Sequence, residues 1–226
     1  MVDLSKLNIY TYVFDVSGGS LASPTPINVA APPAGVTVTE GAATENGWRP
    51  ILIQLPTSGS PMLPVPSDSQ KAGIALVWHC QYSTAVVDFV AYGNGTGVGT
   101  TPSDGPASGT PATDTGLVED DSTDPDDSIS REGSGNTPGD SGFSWEQEPG
   151  TPNSPGDTVF PTFPGGGVCG VLPPPSPAPP SPEACSPCPH VMISEFHYED
   201  SAATTQQWVE LMVPAVRRRG VWQGGG

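Results

Sequence analysis

The chain has 226 residues, with 24 acidic and 7 basic side chains and a formal net charge of −17 at pH 7. A surface this acidic repels phosphate backbones, which argues against nucleic acid as a direct partner. Glycine and proline together make up about a quarter of the residues, a composition that favours one modest hydrophobic core with long loops. No apolar stretch is long enough to predict a membrane span.

Short segments before residue 160 show the alternation, or the β-branched and aromatic enrichment, that is typical of strands. They are residues 8–15, 49–56, 74–78, 85–92, 128–131 and 143–145. Pro50 and Pro56 flank the second segment and predict an edge or terminal position for it. The runs 74–78 and 85–92 are joined by a short polar turn and predict a hairpin. Because no window shows sustained helical periodicity, we predict an all-β fold, a β-sandwich with long disordered loops.

The C-terminal part opens with a proline-rich run, LPPPSPAPPSPEACSPCP, which predicts a polyproline II spacer. Two alternating segments follow, residues 191–198 and 207–213, and the polar stretch between them predicts a second hairpin. The chain therefore has strand patterns on both sides of a proline-rich linker.

The sequence ISEFHYEDSAATTQQWVEL at 193–211 resembles the opening motif of the lamin-tail domain. That domain is an immunoglobulin-like β-sandwich of nuclear lamins and of many secreted bacterial and algal proteins. VDLSKLNIYTYVF at 2–14 resembles the segment that follows the motif, and segments between 72 and 156 resemble the later part of secreted members. The resemblance implies four parts: a lamin-tail-like domain lacking its first two strands (1–160), a proline-rich linker (161–190), the opening hairpin of a second repeat (191–214) and an aberrant disordered tail (215–226).

Two interpretations of this arrangement stay open. In the first, the chain is a fragment of a longer tandem-repeat protein and its sandwich is incomplete. In the second, the C-terminal hairpin folds back and completes the sheet of the incomplete first domain by strand complementation, which would make the domain a circular permutant. The amino terminus does not resemble a signal peptide, which we attribute to truncation, since the remaining features favour an extracellular or cell-wall location.

The resemblance and the spacer favour a non-catalytic extracellular structural or adhesion module. Its expected partners are other matrix or cell-wall proteins or glycans, and we expect no cofactor. The alternative is an accessory domain of a secreted hydrolase or nuclease whose catalytic part lies outside this chain. A nuclear-lamina protein is a weaker interpretation, because the sequence has neither a heptad rod nor a prenylation signal.

The histidines give no pattern typical of catalysis. His79 and Cys80 are adjacent on a predicted strand and so point to opposite faces, which predicts a surface histidine and a small buried cysteine. His197 is predicted at an outward strand position. With no Ser, His and Asp set, we predict that the chain is not an enzyme.

Acidic side chains provide two weak candidates for a metal site. Asp124 and Asp126 have the alternate spacing that suits calcium, but the glycine and glutamate of an EF-hand loop are absent. Glu195, Asp200 and Glu210 are expected to converge across the turn of the C-terminal hairpin. A solvated acidic loop is the favoured interpretation, so we predict no specific metal site.

Three cysteines, Cys169, Cys185 and Cys188, surround the proline-rich run. Together with His190 they provide four possible zinc ligands, but the prolines between them leave no turn that suits a zinc site. Clustered cysteines in an exported chain favour disulfide bonds, whose connectivity the sequence does not define.

The tripeptide Asn94-Gly95-Thr96 is an acceptor for N-glycosylation in a predicted loop. Asn-Gly is also a favoured hairpin turn, so the same residues have a structural interpretation. We predict Asn94 as the glycosylation site of the exported chain.

Overall fold

The computed structural model describes residues 2–22, 26–56, 62–80, 83–119, 123–124, 126–135, 137–152, 154, 190–198 and 206–215. The regular structure of these residues is a short 3₁₀ turn, Leu4–Lys6, and a series of strands. The strands are β1 (Leu7–Asp15), β2 (Gly18–Leu21), β3 (Ile27–Asn28), β4 (Thr37–Glu40), β5 (Trp48–Gln54), β6 (Lys71–His79), β7 (Thr84–Tyr92), β8 (Thr113–Asp114), β9 (Asp127–Gly133), β10 (Phe143–Pro149), β11 (Met192–His197) and β12 (Trp208–Pro214). The all-β prediction is confirmed.

The strands form two sheets. The first sheet has the order β2-β1-β6-β7-β8, with β3 also paired to β1, and the second has the order β10-β9-β11-β12-β5-β4. Neighbouring strands are antiparallel, except for the short parallel pair β7 and β8. The two predicted hairpins are therefore present, as β6–β7 and β11–β12.

The C-terminal hairpin lies in the middle of the second sheet. Strand β11 pairs with β9, and β12 pairs with β5 over seven positions, from Trp208 opposite Gln54 to Pro214 opposite Trp48. Without this hairpin the second sheet would be divided into β10–β9 and β5–β4. The fold-back arrangement is thus the one observed, and the origin of the hairpin as part of a second repeat stays a prediction.

One hydrophobic core joins the sheets. It contains inward side chains of the first sheet, such as Ile9, Ile74 and Tyr92, and inward side chains of the second, such as Phe196 and Leu211. Alternate residues of a strand point to opposite faces, so each sheet supplies every second side chain to this layer. The sheets consequently pack face to face, as in a β-sandwich.

The outer face of the first sheet is also covered. Tyr12 and Phe14 form an aromatic cluster there with residues of β6 and β7, and Ala107 from the following loop packs on it. The backbone N–H of Ala107 donates to Tyr12 Oη at 3.0 Å, and the N–H of Ser103 donates to the carbonyl of Gly19 at 2.8 Å. Part of the long polar segment after β7 thus covers the outer face of this sheet.

The prediction that residues 49–56 occupy an edge is wrong, because β5 lies between β12 and β4. The carbonyl of Pro50 accepts a hydrogen bond from the N–H of Gly41 at 2.9 Å. In an antiparallel pair the N–H and C=O of one residue face the same neighbour. A backbone N–H at position 50 would therefore face Gly41, which lies one residue beyond the end of β4. Proline has no N–H, but no hydrogen bond between β4 and β5 is lost because the β4 strand has already ended there.

Candidate functional site

Buried charged side chains cluster around the C-terminal hairpin, and they form the candidate site. Asp88, on β7 of the first sheet, is buried and pairs with the buried Arg131 of β9, with 2.7 Å between Oδ2 and Nη2. The same oxygen accepts the backbone N–H of Ile193 on β11 at 2.9 Å. One carboxylate therefore joins both sheets and the hairpin.

Two irregularities in the strands lie beside this contact. The pairing of β7 with β6 shifts next to Asp88, and the pairing of β11 with β12 shifts between Ile193 and Glu195. The extra residue of a bulge changes which side chains face a given side of the sheet. As a result Ile193 and Phe196, three positions apart, both face the core, whereas strict alternation would separate them.

Arg131 is held from several sides. Its Nη1 donates to the carbonyl of Pro138 at 2.9 Å, and its guanidinium lies 4.7 Å from the ring centroid of Trp145 and 5.4 Å from that of Phe143. A desolvated guanidinium over aromatic rings gains cation–π stabilisation in addition to its ion pair. These contacts fix the position of the positive charge that faces Asp88.

Glu195 lies on the outer face of the second sheet and is nevertheless buried. It accepts hydrogen bonds from the hydroxyl of Ser128 and from the backbone N–H and hydroxyl of Thr151, the last two at 2.8 and 3.1 Å. Burial raises the pKa of Glu195, although the hydrogen bonds from Ser128 and Thr151 act in the opposite direction. This carboxyl is therefore a buried group with a raised proton affinity.

Glu210 lies directly opposite Glu195 across the β11–β12 ladder and is fully buried. Its Oε1 accepts the hydroxyl of Ser194 at 2.9 Å, and Ser194 is the extra residue at the irregularity in β11. The two glutamates are thus cross-strand neighbours, and Asp200, the third member of the predicted set, lies outside the described residues.

Glu119 and Tyr198 exchange two hydrogen bonds. The backbone N–H of Glu119 donates to Tyr198 Oη at 2.7 Å, and the N–H of Tyr198 donates to Glu119 Oε2 at 2.8 Å. Oε1 of Glu119 lies 3.4 Å from Nδ1 of His197, which is 2.8 Å from the carbonyl of Asp127. The His197 ring stacks on Trp208, so the end of β11 is tied to three other parts of the chain.

His197 occupies the predicted outward position on its strand, between the core residues Phe196 and Tyr198, and its side chain is nevertheless buried. The segments around Glu119 and Asp127 cover this part of the sheet through the contacts described above. An alternating pattern defines the face of a strand and does not define what later covers that face.

The start of β12 is held by an amide. The side chain of Gln207 donates to the carbonyls of Leu63 and Tyr198 at 3.2 and 2.9 Å and accepts the N–H of Leu63 at 2.8 Å. Its own carbonyl accepts the N–H of Leu55 at 2.9 Å. These buried bonds join the hairpin to the segment after β5.

Asp124 and Asp126 are exposed. The Asp124 carboxylate accepts the N–H of Asp126 at 3.1 Å, and its carbonyl accepts the N–H of Asp127 at 2.8 Å, so the residues form a turn that leads into β9. Among the described residues, no group of three His, Cys, Asp or Glu side chains is arranged to hold a metal ion.

His79 and Cys80 differ from their prediction. His79 is half-buried, its Nε2 lies 3.0 Å from Tyr10 Oη, and burial lowers its pKa. Cys80 is half-buried and disulfide-bonded, so it is not the small buried thiol that was predicted. The three predicted disulfide candidates, Cys169, Cys185 and Cys188, lie outside the described residues.

Asn94 is exposed in the turn after β7, as is Thr96. The N–H of Gly95 donates to the carbonyl of Gln70 at 3.0 Å, and a Cβ at Gly95 would lie 2.8 Å from that carbonyl group. The predicted glycosylation acceptor thus lies on a turn that is anchored at its glycine and presents both recognised side chains to solvent.

No protein-family model, no curated protein and no solved structure matches this chain. In the part of the chain that the structure describes, no helix is long and apolar enough to cross a membrane.

Sequence reasoning missed Asp88, Glu119 and Arg131 as members of the buried cluster. The sequence does contain a signal for two of the three, Asp88 and Arg131. Asp88 is an acidic residue in the middle of the apolar run of β7, and Arg131 is a lone base in a strongly acidic region. A charge inside an apolar strand is costly to bury unless it is paired, so such a residue predicts a partner elsewhere in the chain.

Proposed function

We propose that this chain is a non-catalytic extracellular structural or adhesion module with an immunoglobulin-like β-sandwich of the lamin-tail type. One observation carries the proposal. The buried carboxylates of Asp88, Glu119, Glu195 and Glu210 each hydrogen-bond to β11 or join it to a neighbouring segment. These carboxylates make their contacts within the sandwich and connect the hairpin to the rest of it, which suits a structural role.

The lamin-tail assignment is supported by the position of the hairpin. The resemblance places the segment of β11 and β12 ahead of the segment of β1 in the order of that family. In this chain the two strands come last and occupy the centre of the second sheet of the same sandwich. A permuted domain has this relation between chain order and sheet position, since strands keep their neighbours when the order of the chain changes.

Extracellular location is supported by two features of the described residues. Cys80 is disulfide-bonded, and structural disulfides persist in oxidising compartments. Asn94 and Thr96 are exposed on their turn, where a glycosyltransferase has access to them. Partners would be matrix or cell-wall proteins or glycans.

Fractionation of the source tests the proposal. Medium, wall or matrix, and cell interior are separated, and the chain is analysed by peptide mass spectrometry without reduction. We expect the chain in the medium or wall fraction, with a glycan on Asn94 and no free thiol at Cys80. A chain confined to the cell interior with unmodified Asn94 would contradict the proposal. Thr96→Ala, expressed in the same source, is the control: it should lose the glycan and keep its location.

A further inference from the structure

We propose that the β11–β12 hairpin exchanges between copies of this chain, so that the hairpin of one copy inserts between β9 and β5 of a second copy. The partner is a second molecule of the same chain. The inference rests on the topology and does not depend on the extracellular location or the family assignment proposed above.

The first step in the argument is that the hairpin is a separable insert with a complete set of contacts. Its inward side chains, including Ile193, Phe196 and Leu211, are buried in the common core. Its edges pair with β9 and β5, and its polar groups bond to Asp88 and Glu119 of the remaining sandwich. Each of these contacts is the same whether the hairpin comes from its own chain or from another copy.

The second step concerns what the hairpin leaves behind. A sandwich without it exposes the edges of β9 and β5 together with one side of the hydrophobic core. Two facing strand edges beside an apolar surface accept a matching hairpin, which is the basis of strand addition and of domain swapping. The hairpin of a second copy is the segment that matches all of these groups.

The third step is the length of the connection. Residues 155–189 separate the last described residue of the body, Ser154, from the start of the hairpin segment at His190. Fully extended, these residues would span on the order of 100 Å, while a domain of this size is roughly 40 Å across. Cys80 of the sandwich is disulfide-bonded, and the other three cysteines of the chain all belong to this stretch, so its full length is available only when that bond is reduced. In the reduced chain a neighbouring copy is within reach of the hairpin.

The balance between the two arrangements depends on concentration. The closed monomer and the exchanged form have identical contacts, so their ratio depends on how the concentration of other chains compares with the effective concentration of the tethered hairpin. That effective concentration is on the order of millimolar for a short flexible linker and lower for a longer one. Dilute chains close on themselves, and chains at high local concentration exchange hairpins. Repeated exchange in one direction links copies into an open chain.

Complementation between two full-length variants tests the proposal. Leu211→Asp places a charge in the core face of the hairpin, and Ile74→Asp does so in the body of the sandwich. Each variant alone should fail to fold, since both positions are fully buried. When the two are refolded together from denaturant with a reductant present, which frees the linker from the Cys80 disulfide, the intact hairpin of one should complete the intact body of the other. The mixture should recover up to about half of the wild-type near-ultraviolet circular dichroism, because each swapped pair contains one intact sandwich.

The control mixture combines Leu211→Asp with Phe196→Asp, which both damage the hairpin, and it should stay unfolded. A test mixture that gains no more signal than this control, while the wild type refolds, would overturn the proposal. If either single variant folds alone, the test is made with the wild-type chain instead. The wild type is refolded at a range of concentrations, and light scattering measures the mass of the species formed. Dimers or larger species at high concentration support exchange, and monomer at every concentration overturns it.

Discussion

The carboxylate of Asp88 accepts a hydrogen bond from the backbone N–H of Ile193, a residue 105 positions further along the chain. The same oxygen pairs with Arg131, so a strand of the first sheet, a strand of the second and the C-terminal hairpin meet at one atom. This contact connects the last strands of the chain to the fold as a whole, and it defines the first prediction.

Asp88→Asn should destabilise the sandwich strongly. The substitution removes the carboxylate that pairs with the buried guanidinium of Arg131, and breaking a buried ion pair in this way costs about 3–5 kcal/mol. Urea denaturation measures the free energy of unfolding directly. A loss below about 1 kcal/mol would show that the pair is not buried as described.

Glu40→Gln is the matched control for that experiment. It removes the partner of Arg49 in an ion pair of 2.5 Å whose side chains are 51% and 37% exposed. Exposed pairs contribute about 0–1 kcal/mol, because water screens them and ordering two long side chains costs entropy. The contrast between the two substitutions isolates the effect of burial.

Stability should fall as the pH rises. Burial raises the pKa of Glu195 and of Asp88, so both bind protons more tightly in the folded state than in the unfolded state. Stability from such groups is fully present below the unfolded pKa, which is near 4.5 for glutamate, and is lost as the pH rises through the folded value. Urea denaturation at a series of pH values from the unfolded pKa upward should show this slope, and Glu195→Gln should flatten it.

The pKa of Asp15 is shifted in the opposite direction from that of Glu195. Hydrogen bonds from the side chain and backbone of Ser17 lower the pKa of this exposed carboxyl. Asp15→Asn should therefore leave the negative slope in place or steepen it slightly. Stability that rises with pH in the wild type, or a slope unchanged by Glu195→Gln, would contradict the description of Glu195 as a buried carboxyl.

Much of the strand content is predictable from the sequence. The apolar runs of β1, β6 and β7 are long and rich in β-branched and aromatic residues, so local pattern is sufficient to identify them. β2 was missed because its sequence, GGSL, has low strand propensity and forms through pairing with β1.

The candidate site was less predictable, because its contacts join residues far apart in the chain. Glu195 and Glu210 were singled out from their hairpin, a local feature. Asp88 and Arg131 acquire their roles only when β7, β9 and β11 are brought together. The edge prediction for β5 failed for the same reason, since the strand that covers it is β12.

Gly73 should not tolerate a side chain. A Cβ there would lie 2.8 Å from the ring of Phe14, 3.1 Å from that of Phe89 and 3.1 Å from the carbonyl of Val90. Gly73→Ala should cost about 1–3 kcal/mol, since the aromatic cluster would have to shift. Gly99→Ala, where nothing lies within 4 Å of the added carbon, is the control and should change the unfolding temperature little. Equal effects of the two substitutions would contradict the packing of the outer cluster.

The disulfide of Cys80 should contribute to stability. Cys80→Ser removes it, and loss of a native disulfide typically costs about 2–4 kcal/mol. Thiol labelling of the native wild-type chain should leave Cys80 unmodified until a reductant is added. Rapid labelling without reductant would show that the bond is absent.

Truncation tests the central claim, that the C-terminal hairpin is an integral part of the sandwich. Chains ending at residue 189 and at residue 215 are compared with the full chain by scanning calorimetry. The chain ending at 215 keeps both hairpin strands and should unfold in a cooperative transition like that of the full chain. The chain ending at 189 should show no such transition, because its second sheet is divided and its core is open. A cooperative transition at the same temperature in all three chains would contradict the account.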